Sequence, residues 1–152
     1  MKLEIRVIRN TAKKFISDIQ KESLKASRKA INKCGLNLRN EARKNLRSSG
    51  IHITDSHFGD KLIQGVRAGK TFRKDDKGFA RYVRITKNKR AKGKSSGWFR
   101  LGWLNKGTKQ RTTKKHSTGS MIGAHFYDNA LSNFDFKTKY EAEMNKALAK
   151  LK

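Results

Sequence analysis

Apolar residues in the first third of the chain recur at steps of three and four, which places them on one face of a helix. This stripe ends before Ser48-Ser49-Gly50. We predict a long helix that begins near Asn10 or Thr11, because either side chain can cap it. Ile19→Asp should destabilise the fold by several kcal/mol, because it would bury an unpaired charge. This follows from our prediction that the stripe packs on a sheet through Phe15, Ile16, Ile19, Ala30, Cys34, Leu38 and Leu46. The stripe comprises Ala12, Phe15, Ile16, Ile19, Ala26, Ala30, Cys34, Leu38, Ala42 and Leu46.

Alternating apolar and polar residues predict strands in four other segments. These segments are 2–7, 62–67, 79–86 and 98–105, and a final amphipathic helix runs from about Tyr140 to Leu151. In the last strand we expect Phe99 and Trp103 to face the core. The alternative is that Trp98, Phe99 and Trp103 stack on nucleic-acid bases beside basic loops that bind phosphates, and for Trp98 both alternatives stay open. The order of elements predicts an α+β fold, a single domain over residues 1–152. Its long N-terminal helix and C-terminal helix pack on an antiparallel sheet, with extended basic loops.

Charge changes this picture of a plain α+β domain. The formal net charge is +26, whereas small soluble domains usually have a net charge of about 2–8, positive or negative. Because such an excess repels itself in a compact chain, we expect a polyanion or an acidic protein surface as partner. DNA, RNA and a neighbouring subunit all satisfy this requirement, and charge alone does not choose among them.

The basic residues concentrate in a stretch without any acidic residue, from Gly78 to Tyr127. Two loops there, at about 87–97 and 106–120, are rich in Gly, Ser and Lys. We predict that they are mobile in the free subunit and order on assembly, since little apolar burial opposes their conformational entropy. The predicted contacts with a polyanion or partner are Lys87, Lys89, Arg90, Lys92, Lys94, Lys109, Arg111, Lys114 and Lys115.

The sequence contains parts of catalytic and ligand-binding motifs, but none of these motifs is complete. Gly93-Lys94-Ser95 resembles the end of a phosphate-binding loop, but Asn88 stands where that motif requires glycine. His52, Asp55 and His57 lack a further cluster of ligands for a metal. Paired carboxylates for acid–base catalysis do not stand out either. We therefore expect no enzyme, no catalytic residue, no metal and no cofactor.

The one cysteine, Cys34, lies on the helical stripe, where we expect it to be a small buried hydrophobe. A single cysteine excludes an intramolecular disulfide and suits a reducing cytoplasm. The N-terminus lacks the apolar core of a secretory signal. Apolar runs also fall short of the roughly 18 residues of a membrane span, so we expect no membrane partner.

Two separated segments carry a more specific signal than composition does. Gly102-Trp103-Leu104-Asn105-Lys106-Gly107-Thr108 precedes a polar loop, and Ala124-His125-Phe126-Tyr127-Asp128-Asn129-Ala130-Leu131 follows it. This arrangement resembles the tail-completion, or minor tail-component, family of long-tailed bacteriophages. The resemblance assigns structural roles to Trp103, Gly107, Thr108, Phe126, Ala130 and Leu131. The chain departs from the family in having no proline before the Phe and in inserting residues 110–119.

The resemblance implies a structural protein of the phage neck that joins the DNA-filled head to the tail. It implies a homo-oligomeric ring around the DNA channel, between head-closure and tail-terminator proteins, in the virion and assembled in the host cytoplasm. Contact with double-stranded DNA would be weak and independent of sequence. The alternative is a free-standing, sequence-independent nucleic-acid-binding protein. It explains the charge equally well but leaves the paired segments unexplained.

Overall fold

The computed structural model describes residues 2–50, 62–74, 78–86, 98–109, 111–112 and 117–149. It has an α+β fold, with a long N-terminal helix, a C-terminal helix and short antiparallel strand pairs, so the predicted fold class is confirmed. The helices are α1 (Lys2–Ser48), α2 (Trp98–Lys106), α3 (Phe126–Ser132) and α4 (Phe136–Leu148), and a 3-10 helix covers Leu62–Gly65. The strands are β1 (Val66–Ala68), β2 (Phe72–Arg73), β3 (Phe79–Ala80), β4 (Val83–Ile85), β5 (Arg111–Thr112) and β6 (Ser117–Thr118).

Helix α1 contradicts the predicted N-terminal strand. It begins at Lys2 and is 47 residues long, so the alternation of Leu3, Ile5 and Val7 does not produce a strand. No glycine or proline separates residues 2–7 from the predicted start of the helix. Because adding residues to an existing helix costs far less than starting one, the helix extends through this segment. Its predicted end at Ser48-Ser49-Gly50 is confirmed, since α1 ends at Ser48.

The segment predicted as the strand 98–105 is helix α2, and this is a second correction. Leu101 is fully buried and Asn105 is 3% exposed, while Trp103 is 40% exposed. Positions four residues apart share a helical face, whereas positions two apart would share a strand face. The expectation that Trp103 enters the core is therefore wrong. The side chain of Phe99 lies outside the described residues.

Contacts divide the chain into two compact units. The first, unit 1, comprises Met1–Cys34, Thr71–Arg81 and Phe136–Lys152. Unit 2 comprises Gly35–Lys70 and Tyr82–Asp135. Helix α1 contributes to both, and the boundary along it falls between Cys34 and Gly35. That the whole chain is one domain stays a prediction.

The core of unit 2 is built from large side chains. Leu46, Val66, Leu101 and Phe126 are each at most 1% exposed, and Ala42 and Ala130 fill the space between them. Burying one such large apolar side chain contributes about 1.5–3 kcal/mol to stability. This core holds the C-terminal part of α1 together with β1, α2 and α3.

A two-stranded antiparallel ladder in unit 2 pairs β1 with β4. Val66 opposes Ile85, and the amide of Thr86 donates to the carbonyl of Gly65 over 2.9 Å. In this register Val66 and Ile85 form a pair without direct hydrogen bonds, so the carbonyl of Val66 points away from β4. The same alternation turns the carbonyl of Val83 away from β1.

Side chains satisfy both of these outward carbonyls. Arg43 of α1 donates from Nε and Nη2 to the Val66 oxygen, over 3.1 and 2.8 Å. On the opposite edge the hydroxyl of Tyr127 donates to the Val83 oxygen. An exposed edge offers unpaired backbone groups to other strands, and here the carbonyls of Val66 and Val83 already have donors.

Unit 1 has a different interior. Ala26, Ala30 and Cys34 of α1 are its buried apolar residues among those described. Helix α4 contacts this face, where the hydroxyls of Ser27 and Tyr140 lie 2.9 Å apart. Phe136 stacks on Tyr140, with ring centroids separated by 5.7 Å.

The β2–β3 pair of unit 1 is joined to α1 through Asn32. Arg81 donates to the Asn32 carbonyl over 2.9 Å and also to its side-chain oxygen. The hydroxyl of Thr71 contacts the same side-chain oxygen at 3.4 Å. Polar bonds thus secure this hairpin beside an interior of small side chains.

The predicted apolar stripe of α1 is buried only in part. From Ala26 to Leu46 it contacts other elements, as predicted. Towards the N-terminus, however, Phe15, Ile16 and Ile19 are 65%, 55% and 53% exposed. The prediction that these three residues pack on the sheet is therefore wrong. Because Ile19 is exposed, Ile19→Asp would not bury a charge, and a large destabilisation is no longer expected.

Candidate polyanion and partner contact surfaces

Most of the predicted basic contacts fall outside the described residues. This applies to Lys114 and Lys115 and to the whole first loop, with Lys87, Lys89, Arg90, Lys92 and Lys94. Lys109 is exposed, and the backbone of Arg111 begins β5. Thr112 of β5 pairs with Ser117 of β6, so the second predicted loop contains a small hairpin.

The two segments of the family resemblance meet in unit 2, in a structure we call the α2–α3 corner, residues 103–108 and 121–128. Gly107 ends α2 with a φ of 79°, and its amide donates to the Trp103 carbonyl over 2.6 Å. A glycine in this left-handed conformation is a common helix end. A Cβ on Gly107 would lie 2.5 Å from the Met121 oxygen, so the two backbones touch where only glycine fits.

Thr108 continues this contact in both directions. Its amide donates to the Met121 carbonyl over 2.8 Å, and the Met121 amide donates to the Thr108 hydroxyl over 3.0 Å. Gly123 approaches equally closely, since a Cβ there would lie 2.6 Å from the carbonyl oxygen of Asn105. The Gly-Thr turn of the first segment thus fixes the path of the chain that leads into the second.

Asn105 joins the end of α2 to the start of α3. Its backbone carbonyl accepts the amide of His125 over 2.9 Å. The side-chain oxygen accepts the amide of Tyr127 over 2.8 Å, and the side-chain nitrogen donates to Asp128 over 2.9 Å. Both polar ends of this buried amide are therefore satisfied within the corner.

This arrangement supplies a helix cap from outside the helix. The residue at the N-cap position of α3, His125, has a left-handed φ of 48° and makes no side-chain cap bond. The first amides of a helix need acceptors beyond the helix, and Asn105 provides one for Tyr127. Asp128 in the first turn also interacts favourably with the helix dipole.

The residues singled out by the resemblance have unequal environments. Phe126 and Ala130 are buried and face the core of unit 2. Gly107 and Thr108 form the corner. Trp103 and Leu131, in contrast, are 40% and 47% exposed on α2 and α3.

The chain matches no known family model, no curated protein and no solved structure.

A group of arginines in unit 2 forms a second candidate surface. This arginine cluster comprises Arg39, Arg43 and Arg47 of α1, Arg67 of β1 and Arg84 of β4. The first three are spaced four residues apart and so lie along one face of α1. Arg67 and Arg84 are directly opposed across the β1–β4 ladder.

Arg43 is the centre of the arginine cluster. Burial, followed by the charges of Arg39, Arg47 and Arg67, lowers the pKa of Arg43. Its two bonds to the Val66 carbonyl hold the guanidinium in place. The nearest acidic residue in sequence is Glu41, two residues from both Arg39 and Arg43. Because each helical residue turns by about 100°, Glu41 lies on the opposite side of α1 from these arginines.

Two observations bear on metal and thiol chemistry within the described residues. Among them, no group of three His, Cys, Asp or Glu side chains is placed to hold a metal. The segments with His52, Asp55, His57 and Gly93-Lys94-Ser95 lie outside that part of the chain. The predicted burial of Cys34 is confirmed at 1% exposure. Burial, with the charge of Glu143, raises the pKa of its thiol, which disfavours the nucleophilic thiolate.

Helices in the described part of the chain include none that is long and apolar enough to cross a membrane. Although α1 is 47 residues long, charged residues occur along its whole length.

Sequence reasoning missed both the capping role of Asn105 and the arginine cluster. The one available signal for Asn105 was its spacing, because it lies four residues after Leu101 and would share its face on a helix. The alternation of aromatic residues in the same segment favoured a strand and hid that face. For the arginine cluster, the four-residue spacing on α1 was visible, but the pairing of β1 with β4 was not.

Proposed function

We propose that this protein is a non-enzymatic structural subunit of the neck of a tailed bacteriophage. In the virion it joins the DNA-filled head to the tail as a ring of identical subunits around the DNA channel. Its neighbours there are the head-closure and tail-terminator proteins. The observation that carries the proposal is the α2–α3 corner, in which the two segments of the family resemblance form one hydrogen-bonded unit around Asn105.

An exposed apolar surface on α1 supports assembly with other subunits. Phe15, Ile16 and Ile19 form a stripe on one side of the helix, and all three are more than half exposed. Exposed contiguous apolar residues of this kind mark sites of protein–protein contact. In a closed ring each subunit presents two different surfaces to its two neighbours, and this stripe is our candidate for one of them.

Electrostatics support a DNA-filled channel as the environment. Duplex DNA carries one negative charge per about 1.7 Å of its axis, and a chain with a net charge of +26 is attracted to it. Contacts through the basic loops would be independent of sequence. Weak contacts also suit a channel through which DNA must pass.

The experiment that tests the proposal is imaging of the purified full-length protein by electron microscopy, with mass determination in solution. We expect closed rings, and we expect the Phe15→Ser/Ile19→Ser variant to remain folded but monomeric. A double variant on a neighbouring exposed face, Lys13→Ser/Gln20→Ser, is the matched control and should form rings. A wild-type protein that stays monomeric at high concentration, and is absent from purified virions, would refute the neck assignment.

The predicted loop contacts have a separate test. Changing Lys87, Lys89, Arg90, Lys92 and Lys94 to Ser should flatten the dependence of duplex affinity on salt. The log–log slope changes by about 0.9 for each phosphate that the protein no longer neutralises. Exposed charges contribute little to stability, so the melting temperature should be unchanged. Strong discrimination between DNA sequences at physiological salt would instead indicate a specific regulator.

A free-standing, sequence-independent nucleic-acid-binding protein remains the second candidate, and the arginine cluster is the observation that favours it. Such a protein would bind duplex DNA as a monomer and would not form rings. The imaging experiment therefore separates the two candidates without reference to affinity.

A further inference from the structure

Repulsion between the positive charges of the arginine cluster destabilises the fold. Like charges four residues apart on a helix destabilise it. Like charges directly opposed in a strand pair, as Arg67 and Arg84 are, also destabilise. Helix α1 nevertheless places Arg39, Arg43 and Arg47 in one row. An anion bound at the cluster would remove this repulsion.

The spacing of the row suits a chain of phosphates. Four helical residues advance about 6 Å, so Arg39 and Arg47 are separated by about 12 Å along the axis. Over that length each strand of a duplex presents about three or four phosphates, at 3.4 Å of axis each. Arg43 is held between them by its bonds to the Val66 carbonyl, so the middle of the row is already ordered before any ligand binds.

Residue type points in the same direction. All five members of the cluster are arginines, although lysine is abundant in the chain. The planar guanidinium matches phosphate oxygens with two parallel hydrogen bonds, which a lysine ammonium does not. Arg47 and Arg84 are exposed, while Arg39 and Arg67 are partly exposed. The row and the ladder thus present guanidinium groups around the anchored Arg43.

We infer that the arginine cluster is a phosphate-backbone contact site for duplex nucleic acid, distinct from the predicted basic loops. The inference deepens the proposed function and rests on its expectation that the protein contacts DNA. Recognition would be through phosphates alone. Arg43 would position the site, and the other four arginines would contact the ligand.

The test compares two full-length variants that each remove four positive charges. The first changes Arg39, Arg47, Arg67 and Arg84 to Gln and keeps Arg43, because that residue also supports β1. The matched control changes Lys13, Lys14, Arg28 and Lys29, all exposed on the unit 1 part of α1, to Gln. Affinity for a labelled 25-base-pair duplex is measured from low to physiological salt.

We expect the affinity of the cluster variant to fall by more than about tenfold and its log–log salt slope to flatten by up to about 3.6, at 0.9 per phosphate. Both changes should be much smaller in the control. The melting temperature of the cluster variant should be unchanged or higher, because repulsion is relieved. Weaker binding accompanied by a lower melting temperature and by failure to form rings would overturn the inference, since misfolding would explain it.

Other outcomes separate this inference from the proposed function. If the cluster variant and the control behave alike while the loop variant binds more weakly, the arginine cluster is not a contact site, and the neck proposal stands. If polyglutamate binding falls with the cluster variant while duplex binding does not, the ligand is an acidic protein and the inference fails. Absence of duplex binding by the wild-type protein would also overturn it, while ring imaging would still decide the neck proposal.

Discussion

The two units of the chain bury very different side chains. Unit 2 encloses Leu46, Leu101 and Phe126, whereas the buried apolar residues described in unit 1 are Ala26, Ala30 and Cys34. Unit 1 also exposes its large apolar residues, among them Phe15 and Phe136. The same amphipathic helix serves both interiors, so the difference comes from what packs on it.

Helix α1 therefore has two parts with different roles. The part in unit 2 is buried and stabilises the fold, and the exposed stripe in unit 1 is our proposed contact surface. Apolar burial contributes to stability roughly in proportion to area, so we expect unit 2 to dominate the stability of the chain. Unit 1 retains apolar area that a partner can cover. A long amphipathic stripe can thus be a core over one part of its length and a contact surface over another.

The sharpest test of this comparison is to truncate one phenylalanine in each unit. Phe126→Ala should destabilise the protein by about 3–5 kcal/mol, because it leaves a cavity in the unit 2 core. Phe136→Ala, at a side chain 50% exposed, should cost about 1 kcal/mol or less, mainly through its stacking on Tyr140. Urea unfolding followed by circular dichroism measures both. Equal costs would break the comparison.

A smaller effect is expected from the α2–α3 corner. Asn105→Ala should cost about 1–3 kcal/mol, because the buried amide of Tyr127 loses its acceptor and α3 loses its cap. The matched control is Asn129→Ala, at an exposed position of α3, which should be near neutral. Hydrogen exchange should show faster opening of α3 in the Asn105 variant. Unchanged exchange there would mean that Asn105 does not support the helix.

Tyr127→Phe should cost about 1 kcal/mol near neutral pH, since the Val83 carbonyl loses its donor. Burial, together with Asp128, raises the pKa of Tyr127. This group therefore contributes stability that is present below its unfolded pKa of about 10 and is lost as pH rises through the folded pKa. The difference in unfolding free energy between wild type and variant should shrink above pH 10. A difference that stays constant above about pH 10 would contradict this contribution of the Tyr127 hydroxyl.

The smallest effect on stability is expected at the exposed stripe of α1. Ile19→Asp should change the free energy of unfolding by no more than about 0.5 kcal/mol, as surface substitutions usually do. It should nevertheless prevent ring formation, because it places a charge in the proposed contact. Gln20→Asp introduces the same charge on a neighbouring face and should leave rings intact. A large loss of stability in Ile19→Asp would mean that unit 1 buries this residue after all.

Sequence patterns predicted the elements whose periodicity is long. The ten-residue stripe of α1 indicated the helix and its end, and the last amphipathic pattern indicated α4. Among the short patterns, the predicted strand at 79–86 contains β3 and β4, but the segments 2–7 and 98–105 are helical. A pattern of only a few residues is compatible with both the helical and the strand period. Leu3, Ile5 and Val7 alternate over six residues beside a long helix, and Leu101 and Asn105 were outweighed by the aromatic alternation around Trp103. Both segments are compatible with the helical period of 3.6 residues and with the strand period of two. The structure around each segment decides which one it adopts.

The candidate surfaces were predictable to different degrees. Charge and the acid-free stretch indicated a basic surface, and the family resemblance singled out residues 102–108 and 124–131 without predicting that they contact each other. The geometry of that connection depends on contacts between distant parts of the chain, such as Asn105 with Tyr127. Local pattern carries no information on these contacts. The exposure of Phe15 and Ile19 was likewise unpredictable, because periodicity identifies a face but not whether anything covers it.

One outward carbonyl on each strand of the β1–β4 ladder already accepts a side-chain hydrogen bond, and this restricts how copies of this protein can associate there. Strand addition, in which one chain extends the sheet of another, needs backbone groups that are open to pairing. Arg43 and Tyr127 already occupy the outward carbonyls of Val66 and Val83. Joining through this ladder would first require breaking those bonds. At these two carbonyls, contacts between subunits would therefore involve side chains and not an added strand.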